Sequence, residues 1–286
     1  MFKNIRFPII NRFTCTEGQL NSIIANIKNK NMLPILDYAN ENNLDCKNNY
    51  QQLINLINNY PNNLISIKLS SFNIKNNISE AESKVFNLVK LAKKNNSKIL
   101  IDAENYLLQD NINFISDKLM KIFNKDKVII YKTYQMYRKD SYQNLLQDIE
   151  YFKNQNIHLG TKLVRGAYHN SEKYLGQLYS DKLDTDLNYN QAILLTYDQK
   201  IPTILATHNN ESINLGTLLN KYALSQEKNY QFSFAHLLDM NNQKYDSIKY
   251  DQTVYTYIPY GPYKEMIPYL SRRLYENLDT IKYMVK

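Results

Sequence analysis

The stretch SEAESKVFNLVKLAKKNNSKILIDAE, residues 79–104, predicts a helix followed directly by a strand. In its first half, apolar residues recur every three or four positions, as they do on an amphipathic helix. Ser79 and Glu82 have the spacing of a capping box at the start of that helix. The second half, KILIDAE, is a short apolar run, which favours a buried strand.

The same alternation extends along the chain. Helical patterns separate eight apolar runs, at residues 33–38, 64–71, 98–104, 127–135, 158–168, 203–209, 232–238 and 254–261. Eight strands, each followed by helical material, within about 250 residues are typical of a (β/α)8 barrel. No linker, Pro/Gly-rich hinge or internal repeat interrupts the pattern. We therefore expect one α/β barrel domain over residues 1–286, with residues 1–30 as a lead-in segment and helix.

Composition limits the classes of function. A hydrophobic content of 43% and a charged content of 22% are typical of a globular protein. The net charge of +8 favours anionic partners and is compatible with peripheral contact with anionic lipid. The lysines are scattered, however, and aromatic residues do not interleave with them, so we expect no nucleic-acid partner.

Cysteine and histidine usage points to an intracellular protein without a metal site. Two cysteines in 286 residues are typical of a reducing compartment, and no histidine has zinc-ligand spacing. No apolar run approaches the 18 residues of a membrane span. We expect a protein of the cytoplasm or the mitochondrial matrix that is not secreted.

Polar side chains collect where the predicted strands end. Catalytic groups of (β/α)8 barrels lie at the carboxyl ends of the strands. Any one of these residues could be a structural polar group, but their recurrence at all eight strand ends favours an active site. The residues are Asp37, Glu41, Lys68, Asp102, Glu104, Gln135, Lys162, Arg165, Thr207, His208, Asn209, His236 and Tyr257.

The segment YIPYGPYKEMIPYLSRRLYENL, residues 257–278, begins in the last apolar run, and its second half predicts a further amphipathic helix. Its polar face carries four residues with the spacing i, i+3, i+4 and i+7, namely Tyr269, Arg272, Arg273 and Glu276. They could be solvated charges, but two adjacent arginines also match the geometry of a bound carboxylate.

Together the motifs resemble the proline dehydrogenase family, of the FAD-dependent monofunctional type, from about Phe13 to Asn277. The resemblance is carried by LDYANE, ISIKLSS, IDAE, KTYQMYRKDSYQNLLQDIEY, TKLVRGAYHNSEK, LATHNNESI, YIPYGPY and PYLSRRLYEN, in this order. It implies a distorted (β/α)8 barrel with its last helix over the barrel mouth. It also implies oxidation of L-proline to Δ1-pyrroline-5-carboxylate by hydride transfer to FAD, with a quinone or another acceptor taking the electrons.

The resemblance assigns a substrate site. Arg272 and Arg273 would bind the proline carboxylate together with Lys68, and Tyr269 would pack beside the proline ring. Glu41 would pair with Arg272 when the site closes. Asp37 would orient Lys68, the alternative being a plain buried salt bridge between the two. The implied substrate residues are Lys68, Tyr257, Tyr269, Arg272 and Arg273, and the implied gate residues are Glu41 and Asp37.

The resemblance also assigns a flavin site. Lys162 would stabilise negative charge that develops on the flavin, and Asp102 is the second catalytic residue near it. A glycine in LVRGAY lets the backbone approach a cofactor closely. The implied FAD-binding residues are Gln135, Val164, Arg165, Gly166, Ala167, Tyr168, Thr207, His208, Asn209 and Glu276.

Three residues depart from the family pattern, and two other functions compete. His169 replaces an apolar or aromatic residue, His236 a common glutamine, and Asp239 the usual glycine before a methionine. We expect a structural role for His236. The alternatives are a flavin barrel of the methylenetetrahydrofolate reductase type and an inactive barrel that serves as a binding module. The paired arginines and LVRGAY argue against the reductase, and the intact Lys68, Asp102, Arg272 and Arg273 argue against an inactive barrel.

Overall fold

Eight short parallel strands close into a barrel in which each strand pairs with the next and the last pairs with the first. The structure is a computed structural model that describes residues 13–39, 46–228, 230–240, 242–262 and 266. The strands are β1 Leu33–Tyr38, β2 Leu64–Ile67, β3 Lys98–Ile101, β4 Ile130–Gln135, β5 Thr161–Val164, β6 Thr203–Ala206, β7 Ser233–Leu237 and β8 Thr253–Tyr260. Each lies within or overlaps one of the predicted apolar runs.

Helices alternate with these strands. The described α-helices are α1 Leu20–Asn29, α2 Cys46–Asn59, α3 Ile78–Lys94, α4 Tyr106–Phe123, α5 Ser141–Asn154, α6 His169–Glu172, α7 Lys182–Asp198, α8 Asn210–Ser225 and α9 Asn242–Asp246. Short 3-10 helices cover Glu17–Gln19, Leu69–Phe72 and Lys173–Leu175. The (β/α)8 barrel expected from the sequence is confirmed. The predicted helix over the mouth falls on residues outside the described part of the chain.

Apolar side chains fill both sides of the barrel wall. The strands read as continuous apolar runs because parallel strands covered by helices are buried on both faces. In β2, for example, all four residues are buried. Ile35, Leu100 and Ile204 belong to one buried cluster, and a larger cluster packs the helices against the strands. This rigid wall fixes the positions of the strand ends.

Helix α3 begins earlier than the sequence indicated. Its N-cap is Asn77, whose side-chain oxygen accepts a hydrogen bond from the backbone N–H of Glu80 at 3.1 Å. The Asn77 amide in turn donates to the Glu80 carboxylate at 3.2 Å. The predicted capping box of Ser79 and Glu82 is therefore wrong, because Asn77 already caps the first turn and Ser79 is an exposed residue inside it.

Two further observations concern the cysteines and the length of the apolar helices. Cys15 and Cys46 are both free thiols. Within the described ranges, no helix combines the length and apolar character needed to cross a bilayer.

Candidate active site

A buried carboxylate, Asp102, lies at the centre of the polar residues at the carboxyl ends of the strands. It follows β3 and accepts hydrogen bonds from Lys162 of β5 at 2.7 Å, Tyr257 of β8 at 2.7 Å and Ser66 of β2 at 2.8 Å. Ser66 and Tyr257 are also within hydrogen-bond distance of each other, at 2.9 Å. The cluster thus joins four separate strands of the barrel.

Lys68 extends this cluster toward β1. Its Nζ donates to Asp37 at 2.6 Å and lies 3.7 Å from a carboxylate oxygen of Asp102. The contact that the sequence led us to expect between Asp37 and Lys68 is present. Because both side chains are buried, the carboxylate fixes the direction in which the ammonium group points.

The charges of the cluster determine the protonation of Asp102. Burial alone would raise its pKa, but Lys162 and Lys68 outweigh that effect and lower the pKa below the ordinary value of an aspartate. Asp102 is therefore a stable anion with its oxygens occupied by donors. Such a carboxylate can position Lys162, but it is a poor general base.

Above the cluster lies a cavity of about 590 Å³ at the barrel mouth. Most of the predicted site residues within the described ranges line it. They are Lys68, Asp102, Gln135, Lys162, Val164, Arg165, Gly166, Ala167, Thr207, His208, Asn209 and Tyr257. The structure thus brings together side chains from widely separated parts of the sequence.

Of the other seven predicted residues, the structure places two away from this lining and does not describe five. Asp37 lies behind Lys68. Tyr168 is buried, and its carbonyl accepts hydrogen bonds from the backbone N–H groups of Ser171 and Glu172 in α6. Five fall outside the described residues, namely Glu41, Tyr269, Arg272, Arg273 and Glu276.

One wall of the cavity requires a glycine. Gly166 has φ of +142°, and a Cβ placed on it would lie 2.4 Å from the ring of Tyr137. The Tyr137 hydroxyl donates to Glu172 at 2.7 Å, which holds the ring in place. The Glu172 carboxylate also accepts the backbone N–H of Tyr106 at 2.6 Å. Only glycine therefore fits at position 166 without displacing the Tyr137 ring.

Gln135 is fixed at both ends of its amide. Its nitrogen donates to the carbonyl of Glu104 at 2.9 Å, and its oxygen accepts the backbone N–H of Ala167 at 3.1 Å. These bonds tie the end of β4 to the loops after β3 and β5. A flat ligand would meet a rigid polar edge at this point.

Arg165 is a half-buried cation held by a network of side chains. It donates to Asp186 at 2.5 Å, to the Thr207 hydroxyl at 2.5 Å and to Ser212 at 3.0 Å. Its guanidinium also lies over the ring of Tyr189, 4.4 Å from the centroid. Arg165 therefore gives the far wall of the cavity a fixed positive charge.

Two of the histidines that line the cavity, His208 and His236, are neutral in the folded protein. Burial lowers the pKa of His208 to about 3 and that of His236 to about 4. The His236 ring lies 3.0 Å from the carbonyl of Met240 and 3.1 Å from the Thr256 hydroxyl. It also stacks on Tyr245, with 4.3 Å between the ring centroids. This bonding agrees with the structural role expected for His236.

The other two departures from the family pattern are accommodated locally. Asp239 adopts φ of +58°, a left-handed conformation that explains why glycine suits this position and that aspartate tolerates better than most residues. His169 begins α6 and lines the cavity. Its ring centroid lies 6.5 Å from that of Tyr137.

Sequence reasoning missed several residues that hold the site together, namely Ser66, Tyr137, Glu172, Asp186 and Tyr189. A signal existed for Ser66, because it lies two residues before Lys68 and alternate residues of a strand share one face. No pattern linked Glu172 to Tyr137, which precedes it by 35 residues.

Comparison with known proteins gives a consistent result. The family model for proline dehydrogenase matches residues 19–284. "Proline dehydrogenase 1, mitochondrial" of Dictyostelium discoideum is 34% identical over 225 residues, which are 73% of this chain and 39% of that protein. The protein of the same name from Drosophila melanogaster is 33% identical over 223 residues, 70% of this chain and 32% of that protein. This chain thus spans well under half of the length of these relatives.

A solved structure shares the fold. The crystal structure of proline utilization A from Bdellovibrio bacteriovorus, inactivated by N-propargylglycine, has a TM-score of 0.85 with 17% sequence identity. The match covers 94% of this chain and 33% of that one. At this identity the likeness concerns the barrel, whereas the extent of the family-model match and the sequence identities to the curated relatives show that the chain belongs to the proline dehydrogenase family.

Proposed function

We propose that this chain oxidises L-proline to Δ1-pyrroline-5-carboxylate with FAD as its cofactor, the first step of proline catabolism. The observation that carries the proposal is the cluster around Asp102, with Lys68 and Lys162, on the floor of a cavity at the barrel mouth. In a member of the proline dehydrogenase family, these buried charges are suited to the carboxylate of a small amino-acid substrate.

The wall of the cavity fits a flavin. At Gly166 the backbone leaves no space for a Cβ, and beside it Gln135 presents a fixed amide. Arg165 supplies a positive charge suited to the anionic part of the cofactor. We assign FAD binding to Gln135, Val164, Arg165, Gly166, Ala167, Thr207, His208 and Asn209, together with Tyr168, which is buried beside Ala167 in the chain, and Glu276, which is outside the described residues.

The residues of the chain would bind and orient the substrate. Lys68, directed by Asp37, faces the cavity with a positive charge for the proline carboxylate, and we assign Arg272 and Arg273, outside the described residues, to the same group. Lys162, directed by Asp102, would stabilise negative charge that develops during the reaction. FAD, when bound, supplies the acceptor for the hydride that leaves the ring carbon next to nitrogen.

The proton of the proline ammonium group must leave by another route. Asp102 accepts three hydrogen bonds and has a lowered pKa, so it does not take that proton readily. His208 and His236 also line the cavity, and burial lowers their pKa values to about 3 and about 4, so neither takes the proton readily. We therefore propose that water removes the proton before or during hydride transfer.

We further propose that a quinone or another external acceptor reoxidises the flavin. The net charge of +8 supports peripheral contact with an anionic membrane, where quinones reside. The curated relatives are named as mitochondrial proteins, and the mitochondrial matrix is one of the two compartments expected from the sequence.

An anaerobic absorbance spectrum of the purified protein, recorded before and after L-proline is added, tests the proposal. We expect visible flavin bands that bleach with L-proline and stay unchanged with L-glutamate. Bound flavin that stays oxidised with L-proline would contradict the substrate. Protein that takes up no flavin after reconstitution would contradict the cofactor and favour an inactive barrel.

A further inference from the structure

The outward face of β4 is polar in a part of the barrel that is normally apolar. Side chains on this face point toward the covering helices and are usually hydrophobic. Lys132 is only 4% exposed here and lies between Asp117 of α4 at 2.8 Å and Asp148 of α5 at 2.6 Å. Tyr134 donates to the same Asp148 at 2.5 Å. Polar groups therefore separate α4 and α5 from the strand.

These groups surround a second cavity of about 260 Å³, between β4, α4 and α5. Its wall includes uncharged polar side chains as well as the ion pairs, among them Gln109, Asn113 and Ser141. Thr133 and Gln135 line both cavities, so the second lies behind a wall of the first. Pockets for drug-sized ligands measure roughly 300–1,000 Å³, so this one suits a smaller molecule.

A buried arginine lines the second cavity with an unused donor. Arg138 follows β4 and is 6% exposed. Its Nη1 has no hydrogen-bond partner among the described residues, and its Nε makes only a 3.4 Å contact with Asp140. Its guanidinium lies over the ring of Tyr106, 4.5 Å from the centroid. A buried guanidinium N–H without an acceptor is costly, and a carboxylate would satisfy it.

The remaining charges of the cavity favour a positive group on the same ligand. Its charged lining consists of two cations, Lys132 and Arg138, and four carboxylates, Asp110, Asp117, Asp140 and Asp148. Lys132 is already engaged by two of those carboxylates, whereas Asp110 is exposed at the rim. A ligand whose carboxylate meets Arg138 would thus place an ammonium group among excess negative charge.

We propose that this cavity binds a small neutral α-amino acid, with its carboxylate at Arg138 and its ammonium group toward Asp110 and Asp117. The site is separate from the cluster around Asp102 and does not depend on the reaction proposed above. It adds a second amino-acid site to the chain, behind the wall that carries Gln135.

Calorimetric titration of the full-length, FAD-loaded protein with L-alanine and L-proline tests this site. The titration is carried out on a Lys68→Met variant. This substitution weakens amino-acid binding at the barrel mouth and leaves the second cavity intact. We expect saturable binding of one amino acid per chain. Arg138→Gln in that background should weaken it roughly ten-fold or more, because a charge-assisted hydrogen bond is lost.

Matched controls separate recognition from general damage. Lys139→Gln removes a neighbouring exposed lysine and should leave the affinity unchanged. Propionate and ethylamine, each with only one of the two charged groups, should bind more weakly than L-alanine. If Arg138→Gln does not fold, Asn113→Leu, which places an apolar group in the wall, should abolish binding instead.

Two results would overturn the proposal. One is the absence of saturable binding of either amino acid at millimolar concentration. The other is an affinity that neither Arg138→Gln nor Asn113→Leu changes. Either would show that the second cavity is a hydrated cleft between helices.

Discussion

Asp102 shows how one side chain can organise a site at the residue scale. It accepts hydrogen bonds from Ser66, Lys162 and Tyr257, which lie on three different strands. A carboxylate on a flexible loop could not keep three such bonds at once, so the precision comes from the barrel wall beneath it. Lys68 depends on the same wall, because Asp37 on β1 holds its ammonium group.

Lys68→Met should weaken capture of proline while flavin stays bound. The change removes the positive charge assigned to the substrate carboxylate and touches none of the residues around Gly166. A charge-assisted hydrogen bond contributes about 1.5–3 kcal/mol, so the proline concentration that half-bleaches the flavin should rise roughly 10- to 150-fold. Anaerobic titration followed by flavin absorbance measures this shift.

Lys98→Met is the matched control for that experiment. Lys98 begins β3, at the opposite end of the strand from Asp102, and is also partly buried. Its replacement should leave the proline titration unchanged. Equal shifts in both variants, or loss of flavin from Lys68→Met, would contradict the role assigned to Lys68.

Gly166→Ala should impair flavin retention and stability together. The new Cβ would fall 2.4 Å from the ring of Tyr137, which its bond to Glu172 prevents from moving freely. Forcing an alanine into this backbone conformation costs about 1–3 kcal/mol before the crowding is counted. Denaturant unfolding and the ratio of flavin to protein absorbance report the two effects.

Gly176→Ala separates crowding from backbone strain. Gly176 also has a positive φ, of +69°, but no atom lies within 4 Å of the position that a Cβ would take there. Its replacement should lower stability modestly and leave flavin content intact. Equal flavin loss in the two variants would show that the close contact at Gly166 does not shape the cofactor site.

At the scale of elements, the start of α3 can be assigned by mutation. Asn77→Ala removes the side chain that caps the helix and should lower the free energy of unfolding by about 0.5–2 kcal/mol. Ser79→Ala changes an exposed residue within the first turn and should have little effect. Urea unfolding of the two variants beside the parent measures the difference. A larger effect at Ser79 would restore the capping box predicted from the sequence.

The elements themselves were predictable because their burial leaves a pattern in the sequence. Strands covered on both faces read as continuous apolar runs, and all eight were found in this way. Several predicted ends extended too far, as in the run 158–168 against β5 Thr161–Val164, because site residues continue beyond the last paired residue. Asn77 was missed because two potential caps lie within three residues of each other.

The site was predictable in its residue types and only partly in its contacts. Polar residues within or at the end of apolar runs indicated Lys162 and Asp102, since barrel geometry collects strand ends at one rim. The hydroxyl of Ser66 was not foreseen, because its bond to Asp102 depends on the register between β2 and β3. The hydrogen bond between Tyr137 and Glu172 likewise depends on how the segments after β4 and β5 pack, which no local sequence pattern encodes.

At the scale of the whole molecule, buried histidines make stability depend on pH. The folded protein keeps His236 neutral with a pKa of about 4, whereas an unfolded histidine titrates near pH 6.5. Between pH 6.5 and pH 4 the unfolded state binds a proton at His236 that the folded state does not bind. The free energy of unfolding therefore falls as the pH is lowered. His208, with a pKa of about 3, acts in the same direction. Asp102 has a lowered pKa, so its contribution is lost only at more acidic pH, below the ordinary pKa of an aspartate.

His236→Gln should therefore flatten this pH dependence without removing it. Acidification from pH 6.5 to pH 4 should cost the parent roughly 3 kcal/mol more than the variant, since each pKa unit corresponds to about 1.4 kcal/mol. Urea unfolding at several pH values between 4 and 8 measures the difference. Above pH 7 the two curves should run parallel, which separates proton binding from lost packing on Tyr245. Parallel curves over the whole range would mean that His236 is protonated equally in both states, and the acid sensitivity of the barrel would then have to come from other groups.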